Sequence, residues 1–209
     1  MKIDFLSLWE LTLRPDLTDE ELKNLIPSKI GNVHYAFDGV AFEKNAKSLI
    51  MLMGVPGSGK STMAEKLKDL CEGYDLTSKI VSMDCILSNY IMKNGGMFDI
   101  DTDFAKIQML GLQEEFEDAD EYDVIILDGT FLSITDRFVV LKPISDYFSN
   151  VIGVFLDTNV EELRRVQSER LFKRISEEDF EYYTQLARMN LEMEKNLSVG
   201  FDEVYIVLR

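Results

Sequence analysis

The apolar run Ser48-Leu49-Ile50-Met51-Leu52-Met53 passes straight into Gly54-Val55-Pro56-Gly57-Ser58-Gly59-Lys60-Ser61-Thr62. A short apolar run followed by glycines and then a helix-prone stretch confines the chain to a strand–loop–helix unit. The loop fits G-x-x-x-x-G-K-[ST], the phosphate-binding pattern called Walker A. Glycines at 54, 57 and 59 permit a left-handed backbone lying close to a ligand. Successive N–H groups then point inward as an anion nest, reinforced by the positive end of the helix that follows. In such a loop Lys60 reaches the outer phosphates and the Ser61 hydroxyl is a magnesium ligand. The expected nucleotide-binding set is therefore Gly54, Pro56, Gly57, Ser58, Gly59, Lys60, Ser61 and Thr62.

From Ser48 onward strands and helices alternate. Strands are expected at 48–53, 79–83, 123–127, 151–156 and 204–208. Helices are expected at 61–72, 85–93, 101–118, 135–148 (bent at Pro143), 160–174 and 177–196. This alternation predicts an α/β fold, a parallel sheet of about five strands with helices on both faces, of the P-loop NTPase type, with a helical lid. Residues 48–209 make one domain on this reading, and residues 1–47 an amino-terminal appendage. In the appendage, Thr18 to Glu21 has the spacing of a helix start, and Val33 to Phe42 alternates loosely around Asp38-Gly39, which suits a hairpin turn.

The 209 residues carry a formal net charge of −16, which argues against a protein that grips an extended duplex along a basic face. A nucleic-acid substrate would have to be held at an end or a short strand. No apolar run is long enough to cross a bilayer, so no membrane partner is expected. Two cysteines, Cys71 and Cys85, suit a reducing cytoplasm rather than a disulfide scaffold. The single His34 cannot build a zinc site alone and reads as a loop or surface residue.

In parallel sheets ligands sit at the carboxyl ends of the strands. The run Val124-Ile125-Ile126-Leu127 delivers Asp128, an aspartate placed to orient Mg²⁺ beside Ser61; an Asp-Gly turn is the simpler reading of the same residues. The strand ending Val81-Ser82-Met83 delivers Asp84, a candidate general base for an attacking hydroxyl that reads equally as a helix cap. Arg164, Arg165, Arg170 and Arg174 follow the fourth strand. They suit either a cationic lid, with Arg170 as its leading catalytic candidate beside Lys60 and Asp84, or a solvated helix face paired with Glu161, Glu162 and Glu169. Arg137 is placed to tie down the loop after Asp128.

With these pieces in place, residues 48 to 209 resemble a P-loop kinase of the polynucleotide-kinase-like group, a group also similar to gluconate kinases and zeta toxins. The resemblance rests on Gly54 to Thr62, Ser82-Met83-Asp84, Asp128-Gly129-Thr130, Asp157-Thr158-Asn159 with Glu161 to Arg165, and Ser168-Glu169-Arg170. It implies ATP and Mg²⁺ as cofactors, Lys60 and Ser61 on phosphates and metal, Asp84 as base, Asp128 at the metal and Arg170 as the lid arginine. The implied reaction is transfer of the γ-phosphate to a hydroxyl of a nucleic-acid 5′ end, a nucleotide or a small metabolite. The alternatives are an ATPase without a separate acceptor and a nucleotide-binding module. One departure stands out: polynucleotide kinases usually carry an arginine three residues after the strand-two aspartate, and here that position is Leu87.

Overall fold

The run Ser48–Met53 lies at the centre of a sheet, and all six of its residues are buried. The computed structural model describes residues 31–35, 46–93, 100–171 and 174–209. In chain order the elements are β1 (Asn32–His34), β2 (Ser48–Met53), α1 (Lys60–Gly73), β3 (Ser78–Ser82), α2 (Met83–Lys93), α3 (Ile100–Glu115), β4 (Val124–Asp128), α4 (Ile134–Leu141), β5 (Asn150–Asp157), α5 (Val160–Glu169), α6 (Glu177–Glu192), α7 (Glu194–Ser198) and β6 (Glu203–Leu208). The strands form one sheet in the order β1-β6-β5-β2-β4-β3, and every pairing is parallel. A strand covered on both faces must be apolar at every position, which is how β2, β4 and β5 read.

Side chains alternate along β2 into two cores. Ile50 and Leu52 join Ala64, Leu67 and Cys71 of α1 on one face. Leu49, Met51 and Met53 join Ile86, Leu112, Phe138, Leu163, Phe180 and Leu197, from helices α2 to α7, on the other. Two helical layers thus clamp the sheet, and the strand ends that carry polar residues are left at one rim.

Among the described residues the sheet has six strands, one beyond the five segments expected in 48–209. Residues 32–34 pair with β6 in the register Asn32↔Glu203 to His34↔Tyr205. His34 is therefore in an edge strand, its ring stacked on Tyr205 at 4.9 Å, and not in a loop. These residues open the stretch whose loose alternation suggests a hairpin, and in the structure they pair in parallel with β6. The expected helix at Thr18 and the hairpin turn at Asp38-Gly39 lie outside the described residues.

Four helices differ in extent from expectation. The third ends at Glu115, and a 3-10 turn at Ala119–Glu121 replaces its last part. The helix after Asp128 stops at Leu141, because Pro143 has no N–H with which to continue it; a 3-10 turn at Ser145–Tyr147 follows. Helix α5 stops at Glu169, not Arg174. The Ser168 hydroxyl donates to the Arg165 carbonyl, competing with the helix ladder, and Arg170 is extended at φ −70°, ψ 124°. The last long helix breaks at Met193 (φ −120°, ψ 69°), and this redirects α7 so that Leu197 reaches the core.

Candidate active site

Strand β2 ends in the glycine loop, and the loop ends in α1. Gly57 (φ 100°) and Gly59 (φ 90°) sit in the left-handed region, where a side chain would be strained. Gly59 is also the N-cap of α1. No side chain caps that helix end, and its first turn carries no acidic residue. The free N–H groups and the helix dipole therefore suit an anion. Ser58 Oγ is buried in the loop without a partner among the described residues.

Four carbonyls of the loop accept side-chain hydrogen bonds. Lys60 Nζ donates to the carbonyls of Gly54 (2.9 Å) and Val55 (3.0 Å). Gln167 Nε2, from α5, donates to the Pro56 carbonyl at 2.7 Å. Arg209 Nη1, just past β6, donates to the Ser58 carbonyl at 2.9 Å, and Thr158 Oγ1 approaches the same oxygen at 3.5 Å. The Arg209 guanidinium lies so close to Gly59 that a Cβ there would meet it at 1.7 Å. None of these outside supports carries a local sequence signature.

The sheet register brings the acidic candidates to the loop. Asp128 pairs with Leu52 of β2 on one side and with Ser82 of β3 on the other. Ser61 Oγ donates to Asp128 Oδ2 at 2.7 Å, so the helix start and the β4 end are directly joined. Asp84 follows Ser82 by two residues and lies exposed in the first turn of α2, inside the helix and not at its cap. Lys60 records the convergence. Its burial pushes the ammonium down to about 8, while the charges of Asp128 and Asp84 hold it up and that of Arg170 lowers it further. The charges of Asp84, Asp128 and Arg170 thus all act on Lys60.

The four arginines after β5 separate. Arg170 is half-buried at the end of α5 and its charge acts on Lys60. Arg165 is fixed to Glu162 (2.6 Å) and Glu169 (2.7 Å) on the solvent side. Arg164 pairs with Glu177 and lies over the Phe180 ring. Arg174 is exposed. The solvated-face reading therefore describes Arg165, and of the four it is Arg170 whose charge acts on Lys60. Arg137 does tie down the loop after Asp128. It is 1% exposed and donates to the carbonyls of Phe131 (3.1 Å), Leu132 (3.2 Å) and Asn196 (2.6 Å). Asn190 Nδ2 adds a bond to Leu132 (2.8 Å), and the Gly54 N–H donates to the Thr130 carbonyl (3.2 Å), so this loop braces the phosphate loop.

Among the described residues no cluster of three or more His, Cys, Asp or Glu side chains forms a metal site, and no helix is long and apolar enough to cross a membrane.

No family model matches the chain, and no curated protein matches it in sequence. Solved structures do match. A presumed kinase from Chloroflexus aurantiacus superposes with a TM-score of 0.53 over 79% of this chain and 87% of its own, at 14% identity. A gluconokinase from Sinorhizobium meliloti 1021 gives 0.48 over 79% and 84%, at 15% identity. A chain of the Pnkp1/Rnl/Hen1 complex gives 0.46 at 20% identity; it matches over 67% of this chain and 45% of its own length. With its all-parallel sheet and its glycine loop, the chain shares the α/β fold of the Chloroflexus aurantiacus structure.

Proposed function

We propose that the protein is an ATP-dependent kinase that moves the γ-phosphate to a hydroxyl acceptor. The observation that carries this reading is the convergence of a base candidate, a metal-suited pair and two cations around one glycine loop. The chemistry sits in residues 48–209, and residues 32–34 contribute an added edge strand.

The nest and the start of α1 hold the phosphates of ATP. Ser61 Oγ and Asp128 are adjacent hard oxygen donors, the chemistry Mg²⁺ selects when it is held by one or two protein groups plus substrate phosphates. Bound there, Mg²⁺ would neutralise phosphate charge. Asp84 accepts the proton of the acceptor hydroxyl as its oxygen bonds to the γ-phosphorus. The bond to the β,γ-bridging oxygen breaks and ADP leaves. Lys60 and Arg170 stabilise the charge that spreads over the migrating group. Lys60 must leave the Gly54 and Val55 carbonyls to do so, a swing of its own side chain. The exposure of Asp84 leaves room for an acceptor beside it. The acceptor class is a nucleic-acid end, a nucleotide or a small metabolite. The net charge of −16 disfavours a long duplex.

Labelled ATP and Mg²⁺ incubated with separate pools of 5′-hydroxyl oligonucleotides, nucleosides and sugars test this. Label is expected in one pool only. Asp84→Asn should cut transfer by about two orders of magnitude, with ATP affinity changed less than about threefold. Phosphate release to water that no pool alters would replace the kinase reading with an ATPase. Equal transfer by Asp84→Asn and the parent would remove Asp84 as base.

A further inference from the structure

Helix α5 carries Arg170 at its end, yet Arg170 lies outside the helix ladder, and something must set where that end stands. Gln167 is placed to do so. It is one of two buried residues on this charged helix, at 7% exposure. Its Nε2 donates to the Pro56 carbonyl at 2.7 Å, across 111 residues of sequence. A carbonyl oxygen only accepts, so this contact fixes which end of the amide faces the loop. The same nitrogen would lie 3.1 Å from a Cβ on Gly57, with Val166 Cγ1 at 3.5 Å, so α5 leans on the outer wall of the loop at two successive residues. The amide oxygen is buried with no partner among the described residues. A core position would favour leucine here. A buried amide with one half unsatisfied is costly, and the bond to Pro56 is the visible return.

We propose that Gln167 is a positioning residue that latches α5 to the phosphate loop and thereby sets Arg170 over the bound phosphates. The inference rests on the kinase reading above. Three residues separate the latch from Arg170, about one helical turn, so an unlatched α5 moves the guanidinium with it. The latch contacts a carbonyl of the loop and none of its N–H groups, and nucleotide binding therefore depends less on the latch than transfer does.

The test is a kinetic cycle on the full chain, with the acceptor that the parent labels. Gln167→Leu is expected to lower kcat about tenfold, the equivalent of one hydrogen bond, with the ATP KM within about threefold. Arg170→Ala should lower kcat more. Adding Gln167→Leu to Arg170→Ala should cost less than about twofold further, because the latch acts through the arginine. A kcat for Gln167→Leu within twofold of the parent, or losses that multiply in the double variant, overturns the proposal. Gln167→Glu keeps the shape if Gln167→Leu does not fold. A protonated carboxyl can donate to Pro56 and a carboxylate cannot, so its kcat relative to the parent should rise as pH falls; a flat ratio also overturns the latch. If the parent transfers phosphate while these variants match it, the kinase reading survives without the latch. If the parent binds ATP and labels no acceptor, the kinase reading falls, and the latch as a catalytic device falls with it.

Discussion

Lys60 should make nucleotide binding fail at a pH where an ordinary lysine would still be charged. Burial lowers its pKa from 10.5 to about 8, against the pull of Asp128 and Asp84. If ATP requires the ammonium, its apparent dissociation constant scales as one plus the ratio of neutral to charged lysine. That factor is about two at a pH equal to the pKa, about ten one unit higher and about thirty at one and a half units higher. Calorimetric titration of ATP and Mg²⁺ into the protein from about pH 7 to about pH 9.5 measures it directly. Lys60→Arg keeps its charge throughout, so its affinity, whatever its absolute level, should be flat over the same range. The nucleotide-free protein gives the opposite sign. The unfolded chain holds the Lys60 proton up to about 10.5 and the folded one only to about 8, so unfolding takes up a proton between those values. Stability from this group therefore rises with pH across that window, and the gain in urea resistance from Lys60→Met should shrink across it. A parent affinity that changes less than twofold from about pH 7.5 to about pH 9.5 would refute a desolvated ammonium at the phosphates.

Two other substitutions probe the supports of the loop. Arg137→Leu leaves the carbonyls of Phe131 and Asn196 without this donor, while Leu132 keeps Asn190 Nδ2, and should cost about 3–5 kcal/mol in urea unfolding; a loss under about 1 kcal/mol would show that other groups hold that loop. Gly59→Ala meets two obstacles, a left-handed φ of 90° and the Arg209 guanidinium, and should abolish measurable ATP binding. Adding Arg209→Gly should restore only part of it, because the backbone strain remains; full recovery would show that the clash alone mattered.

The parts of the molecule with a local cause were legible in the sequence. β2, β4 and β5 are apolar at successive positions because both faces are covered, and their limits lie within one residue of those expected. The glycine spacing fixed the loop, and chain order put Asp84 and Asp128 at neighbouring strand ends. What was not legible depends on contacts distant in sequence. The parallel pairing of β1 with β6 is one such contact. Gln167 and Arg209 meet the loop across 111 and 151 residues, and nothing around either residue marks it out. Arg137 was legible in its role, tying down the loop after Asp128, but not in its depth. An arginine in a helix defaults to the surface, and its burial follows from three carbonyls that only the folded chain brings together. The end of α5 was misplaced because helix spacing continues through Arg170 while the Ser168 hydroxyl unpicks the ladder before it.

The strand order has a consequence for how anything meets this molecule. β1 and β3 are the two outer margins of the sheet, five strand spacings apart, or about 24 Å at 4.8 Å each. Residues 32–34 form one margin, and Asp84, the base candidate, follows two residues after the strand at the other. On the kinase reading, an acceptor beside Asp84 would sit at the flank opposite β1, so a contact made along β1 and the proposed transfer would fall on separate sides of the sheet.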